Sequence, residues 1–204
     1  MRKVLMVMFT TLDGRAQFPV YPDAGDPSAE DDPMWRPRMH SIDTLLLGRK
    51  AYTAWAAYWP RQKDNPDAGA WAKDFSRFAD RCEKVVFSKT LENPSWPKTR
   101  VVRGSPTEEI AKLRKEEGKN LALGGGPRLA QSFLAADLVD EVLLQIFPSL
   151  VGSGKPMFRT TDDPNFAEDR IPVGAPGRLD FRLREAWPMT DSTLFVRYER
   201  HRPG

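Results

Sequence analysis

Four apolar runs of strand length, Val4 to Phe9, Thr44 to Leu47, Val85 to Phe87 and Leu121 to Leu123, each give way at once to Gly, Ser or Thr. Their hydrophobicity is continuous and does not alternate, which predicts strands buried on both faces in a mostly parallel sheet sandwiched by helices. The intervening segments supply those helices. Ser105-Pro106-Thr107-Glu108-Glu109 reads as a helix start, with Pro in the first turn and acids at the positive helix end, and the helix is expected to run to Glu117 before Gly118. Pro127 to Ala136 carries Leu129, Ala130, Phe133 and Leu134 at helical spacing, and Asp67 to Asp80 is a third expected helix.

After residue 140 the pattern changes. Val142 to Phe147, Leu179 to Ala186 and Thr193 to Arg200 predict strands with no helix between them. Leu179, Phe181 and Leu183 alternate with Asp180, Arg182 and Arg184, as in a strand with one solvated face, so an antiparallel end on a parallel sheet is expected. Two stretches rich in Pro, Asp and Gly, Gln17 to Pro33 and Phe158 to Pro176, are too long for ordinary connectors and are expected to be site-covering loops or local elaborations. No repeat or linker divides the chain, so residues 1–204 are expected to form one domain.

Composition narrows the chemistry. A chain of 204 residues hides about 70% of its unfolded surface and needs no staple. Its single cysteine, Cys82, excludes an internal disulfide framework and a multi-Cys zinc site, and suggests a reducing, cytoplasmic compartment. Cys82 is expected as a surface or half-buried thiol. The two histidines, His40 and His201, leave little material for a His-rich metal centre, and no metal is expected. A net charge of +3 is too small to point to a nucleic-acid surface. The apolar run at Val4 to Phe9 is too short for a secretory signal, and no stretch approaches the roughly 18 to 20 residues of a membrane span, so neither membrane nor nucleic acid is an expected partner.

Four strand-end junctions concentrate candidate chemistry. Gly124-Gly125-Gly126-Pro127-Arg128 joins a buried strand to a helix, where bare backbone and helix-start N–H groups suit a phosphate, or simply a tight turn. Gly48-Arg49-Lys50 sets two cations beside a strand end, suiting a dinucleotide phosphate or a plain surface helix. Ser88-Lys89-Thr90 repeats the theme with hydroxyls and a lysine. Asp13-Gly14, where the first strand becomes a loop, is turn chemistry, or a carboxylate that anchors a polar ring or a neighbouring loop.

These junctions, in this order, resemble the dihydrofolate reductase superfamily, in the branch related to the C-terminal reductase domain of the bacterial riboflavin deaminase-reductase. The matching residues are Thr11-Leu12-Asp13-Gly14, Leu47-Gly48-Arg49-Lys50, Ser88-Lys89-Thr90-Leu91, Gly124-Gly125-Gly126-Pro127 with Ser132-Phe133-Leu134, and Pro148 to Phe158. The resemblance implies a three-layer α/β/α fold with a mostly parallel sheet of about eight strands and an antiparallel C-terminal hairpin. It implies an NADPH-dependent reductase acting on a small heterocycle, pterin-like or pyrimidine-like. Arg49 and Lys50, after Gly48, would hold the adenosine phosphates with Ser88 and Lys89, and Gly124, Gly125, Gly126 and Arg128 the pyrophosphate. A cis peptide is expected between Gly124 and Gly125.

The same resemblance points to Asp32 as a pterin-orienting acid, although Asp32-Pro33 also reads as a helix N-cap followed by proline. Asp13 is a second candidate for catalysis or substrate binding. Trp35, on the same expected helix as Asp32, is a candidate pocket wall or a core aromatic, and His40 is expected on that helix as a surface residue. Where relatives have Gly-Arg-Lys-Thr-Tyr, this chain has Gly48-Arg49-Lys50-Ala51-Tyr52, which removes a hydroxyl at Ala51. Trp55, Tyr58 and Trp59 are read as core or subunit packing, and a twofold homodimer is expected. A non-catalytic nucleotide- or ligand-binding protein on the same fold is the alternative.

Overall fold

The structure, a computed structural model, describes residues 1–16, 35–124, 126–158, 178–189 and 192–202. Asp32, Gly125, the peptide between Gly124 and Gly125 and nearly all of the two irregular stretches lie outside the described residues.

Eight strands form one sheet. In chain order they are β1 (Val4–Thr11), β2 (Ile42–Gly48), β3 (Glu83–Phe87), β4 (Thr99–Val102), β5 (Asn120–Gly124), β6 (Glu141–Phe147), β7 (Asp180–Pro188) and β8 (Leu194–His201). Their spatial order is β4-β3-β2-β5-β1-β6-β8-β7. The first six are parallel, and β8 runs antiparallel to both β6 and β7. Among the described residues the α-helices are α1 (Arg49–Gln62), α2 (Ala70–Arg81), α3 (Pro106–Leu113) and α4 (Pro127–Ala135).

The continuous apolar runs resolve into two cores because successive strand residues point to opposite faces. Val4, Met6 and Met8 of β1 join Leu121, Leu123, Ile110, Leu113, Ala130 and Phe133 on the α3 and α4 side. Leu5 and Val7 join Leu45, Leu47, Tyr52, Phe75 and Phe78 on the α1 and α2 side. The sheet is thus covered on both faces, as the apolar runs required. On the second face, Trp59 packs its ring 4.5 Å from Phe75 and 5.7 Å from Trp71, which accounts for much of the tryptophan content of α1 and α2.

Three local expectations need correction. The segment before β2 is not a helix over its described part: residues 35–38 are a bend and turn and Met39–Ser41 a single 3-10 turn, with Arg38 and Met39 N–H both donating to the Trp35 carbonyl. Pro37 lacks the N–H that a regular helix would use. Helix α3 stops at Leu113, its last buried residue, and Arg114 turns back to donate to the Asp140 carboxylate at 2.6 Å. Strand β4 was not foreseen; it has only four residues, two of them polar, and lies at the sheet edge.

Candidate functional site

The crevice is built by topology. Strands β3, β2, β5 and β1 are neighbours, so the ends carrying Ser88, Gly48, Gly124 and Asp13 stand in one row along the C-terminal edge. Gly48 is in register with Phe87, the residue before Ser88, and Gly124 with Val7. After β2 the chain enters α1 on one face of the sheet, whereas after β5 it enters α4 on the other. Strand ends whose following helices diverge to opposite faces leave an opening between them, the usual ligand position in an open α/β sheet.

Charge at that opening is unusual for helix starts. The positive end of a helix favours an acidic side chain or a capping oxygen. Helix α1 has neither: Gly48 is its N-cap, no acid occupies the first turn, and Arg49 and Lys50 are its first residues. Helix α4 repeats this with Gly126 as N-cap, Pro127 next, then Arg128, and again no acid. Helix α3, which follows the edge strand β4, is capped conventionally by Ser105 and carries Glu108 and Glu109 in its first turn. Arg49, Lys50, Lys89 and Arg128 are exposed, and among the described residues none of their side chains makes an ion pair or hydrogen bond. By contrast Arg114, Arg197 and Arg200 are each tied to carboxylates. Exposed cations at positive helix ends lack the acidic or capping partner that usually offsets such ends, which suits an anionic ligand.

The glycines divide into two kinds. A Cβ on Gly124 would lie 3.1 Å from the Trp55 ring, so its smallness admits a neighbouring side chain. Gly126 has φ +130 and open space where a Cβ would point. Only that second glycine leaves bare backbone facing solvent at a helix start, as a phosphate cradle requires.

The family model for the RibD C-terminal domain matches residues 2–194 of the chain. The chain belongs to the RibD C-terminal domain family. It is 37% identical over 120 residues to the uncharacterized protein YyaP of Bacillus subtilis (strain 168), a match covering 59% of this chain and 61% of that protein's own length. Among solved structures it resembles RibD of Acinetobacter baumannii, with a TM-score of 0.64 at 14% identity over 98% of this chain and 58% of that one. It also resembles dihydrofolate reductase from Enterococcus faecalis, solved with NADP(H), with a TM-score of 0.55 at 12% identity over 98% and 97% of the two chains. The fold is dihydrofolate reductase-like.

Within this RibD C-terminal-type domain, the β3–β4 side of the opening is a built turn. Ser88 Oγ accepts from the N–H groups of Thr90 at 3.1 Å and Leu91 at 2.9 Å, and Ser88 N–H donates to the Val102 carbonyl at 3.0 Å. Its hydroxyl proton is left for a further acceptor, and Lys89 projects from the turn. Ala51 packs partly buried against the α1 and α2 core, and Thr53 Oγ1 donates back to the Arg49 carbonyl, so neither supplies the missing hydroxyl. A cavity of about 260 Å³ on the β4 and α3 side is lined by Arg100, Arg103 and Lys112 but also by Glu108 and Glu109, a mixed lining that selects no anion.

Asp13 is occupied as a loop anchor. It accepts from Thr11 Oγ1 at 2.5 Å and from Gly152 N–H at 2.8 Å, with Arg15 Nε at 3.4 Å. The Thr11 hydroxyl first, then the Gly152 amide, hold its carboxyl down at about 2. It fastens the loop after β6, which also pairs Leu12 N–H with Ser149 O and Met157 N–H with Gly14 O. A carboxylate so held has no proton to give near neutral pH.

Trp35 and Cys82 resolve as packing. Trp35 is buried, with its ring 5.0 Å from Phe75 and 5.9 Å from Phe78, and belongs to the core. His40 is exposed. Cys82 is fully buried, not at or near the surface, because it begins the turn from α2 into β3 under the core; burial pushes its thiol up to about 12. Sequence reading missed Lys84, whose ammonium is fully buried and donates to the Ala79 and Asp80 carbonyls at the end of α2 while lying 4.6 Å from the Trp96 ring. Burial lowers it to about 8. Its position in an apolar strand beside a helix C-terminus was the available signal. Among the described residues no cluster of His, Cys, Asp or Glu could hold a metal, and no helix is long and apolar enough to cross a membrane.

Proposed function

We propose that the protein is an NADPH-dependent reductase that acts on a C=N or C=O bond of a small flat heterocycle, pterin-like or pyrimidine-like. The observation that carries this reading is the pair of acid-free, cation-bearing helix starts, α1 at Gly48 and α4 at Gly126, facing one opening. A dinucleotide offers separate anionic groups that would offset both. Membership of the RibD C-terminal domain family and likeness to a reductase solved with NADP(H) support the same reading.

In this reading Arg49, Lys50, Ser88 and Lys89 hold the adenosine end with its extra phosphate, and Gly126 with Arg128 receives the pyrophosphate on open backbone. When bound, the nicotinamide supplies the hydride. The protein's own contribution is orientation and polarity. Asp13 shapes the mouth of the site through the Gly152 loop and does not donate a proton. We also propose a twofold homodimer, because Leu12, Leu150, Val151 and Phe158 are exposed apolar residues of one loop region; light scattering at micromolar concentration tests it, and a mass near the 23.1 kDa of one chain contradicts it.

The glycine that faces open space gives the test. Replacing Gly126 with Val adds strain of about 1 to 3 kcal/mol and a branched side chain in the phosphate path. Nicotinamide fluorescence should show NADPH binding lost, with the circular dichroism of the sheet unchanged. A Gly126→Val protein that binds NADPH as the parent does would overturn the assignment. Binding without oxidation of NADPH by any pterin or pyrimidine acceptor would instead favour the non-catalytic alternative.

A further inference from the structure

Arg103 is the first residue beyond β4, and its guanidinium spans the turn that follows β3. Nη1 donates to the Lys89 carbonyl at 2.5 Å and Nη2 to the Leu91 carbonyl at 3.2 Å. The turn is closed from inside by Ser88 Oγ, which accepts from Thr90 and Leu91 N–H, and is tied to the β4 end by Ser88 N–H on the Val102 carbonyl. Arg103 clamps it from outside. A planar fork fixes the directions of donors on two separate nitrogens, so it holds two carbonyls in one plane, whereas the three donors of an ammonium turn about a single atom.

The clamp is exposed, so it adds little to the stability of the fold. Arg103 also lines the β4 and α3 cavity together with Arg100, Lys112, Glu108 and Glu109.

We propose that Arg103 is a positioning residue for the phosphorylated adenosine end of the cofactor: by bridging the Lys89 and Leu91 carbonyls it holds Ser88 and Lys89 in place and so sets the preference for NADPH over NADH. This deepens the reading above and rests on it. The residue acts through the turn and not by touching the phosphate.

The test is a double-mutant cycle of Arg103→Ala and Lys89→Ala, with NADPH and NADH affinities measured by nicotinamide fluorescence on the full chain. Arg103→Ala is expected to weaken NADPH about tenfold and NADH by less than about twofold, with Tm unchanged within about 2 °C. Arg103→Lys, with one compact ammonium, should recover only part of the loss. If Arg103 acts through Lys89, the double variant should bind NADPH about as well as Lys89→Ala alone, because coupled residues are not additive. Additive losses would overturn the positioning role by showing independent contacts. Equal weakening of both cofactors, or a fall in Tm without a change in preference, would also overturn it. If Lys89→Ala abolishes the preference and Arg103→Ala leaves it intact, the Arg103 proposal alone fails. If the parent chain shows no preference, the cofactor reading itself fails.

Discussion

Gly124 and Trp55 are fitted to each other: a Cβ on the glycine would stand 3.1 Å from the indole Cη2. The glycine ends β5 and the tryptophan lies on α1, the helix that follows the neighbouring strand β2. On the other side, a Cβ on Gly48 would meet Leu129 of α4 at 3.9 Å. Each strand's terminal glycine therefore faces the helix launched by its neighbour, and this crossed packing keeps the two helix starts together at the opening.

Gly124→Ala is accordingly a packing variant. The added methyl has to displace a ring that also touches Phe75 and Trp59. Overpacking of this kind costs about 1 to 3 kcal/mol, and denaturant unfolding should show it. Pairing it with Trp55→Phe should recover part of the loss, since residues in contact couple. Additive destabilisation would mean that the two do not press on each other.

Asp13 gives a pH signature at the loop after β6. Its folded pKa lies below the unfolded value of 3.8, so the stabilisation it gives is present above about 4 and is lost as pH falls toward 2. Protection of the Gly152 amide, taken relative to its intrinsic exchange rate, should fall over that range in the parent. Asp13→Asn should exchange fast at pH 7 already. The same variant should leave the shape of the kcat profile between pH 5 and 8 unaltered; loss of a limb of that profile would restore Asp13 as a proton carrier.

Lys84 titrates in the opposite range. Its folded pKa, about 8, is below the ordinary lysine value of 10.5, so the unfolded chain binds more protons between these limits and stability rises with pH across them. The effect is on the order of 3 kcal/mol if the whole shift is expressed. Asp80, Cys82 and Lys98 act on the same ammonium, and the Cys82 thiol, held at about 12, works against stability above pH 9. The comparison that isolates the lysine is therefore the parent against Lys84→Met. The variant should lack the rise between pH 8 and 10; parallel curves would contradict the assignment.

The sheet was legible because burial on both faces writes continuous apolar runs into β1, β2, β3 and β5; in β7 the alternation pointed to a strand, but Leu183, which it placed inward, is exposed next to a shift of register. The sequence was silent on β4, since a four-residue edge strand buries too little to leave a pattern. The glycine and cation junctions could be read as a row only through the resemblance, because strand order is not encoded locally. Nothing local told Gly124 from Gly126, as the difference lies in Trp55, roughly seventy residues away in the chain. Asp13 was ambiguous between turn and site for the same reason: its partner, the Gly152 amide, comes from the far side of β6. Lys84 was overlooked because a charged residue in an apolar strand reads as a strand boundary until a helix end is seen to receive it.

The most direct measurement is a parallel titration of the purified chain with NADPH and NADH, followed by nicotinamide fluorescence at two salt concentrations. Contacts from charged groups to a phosphate are worth about 1.5 to 3 kcal/mol each. NADPH should therefore bind at least about tenfold more tightly than NADH, with the gap narrowing at high salt and closing in Arg49→Ala. Equal affinity for the two cofactors, or no binding of either, would contradict the central claim that the α1 and α4 starts form a site for a phosphorylated dinucleotide.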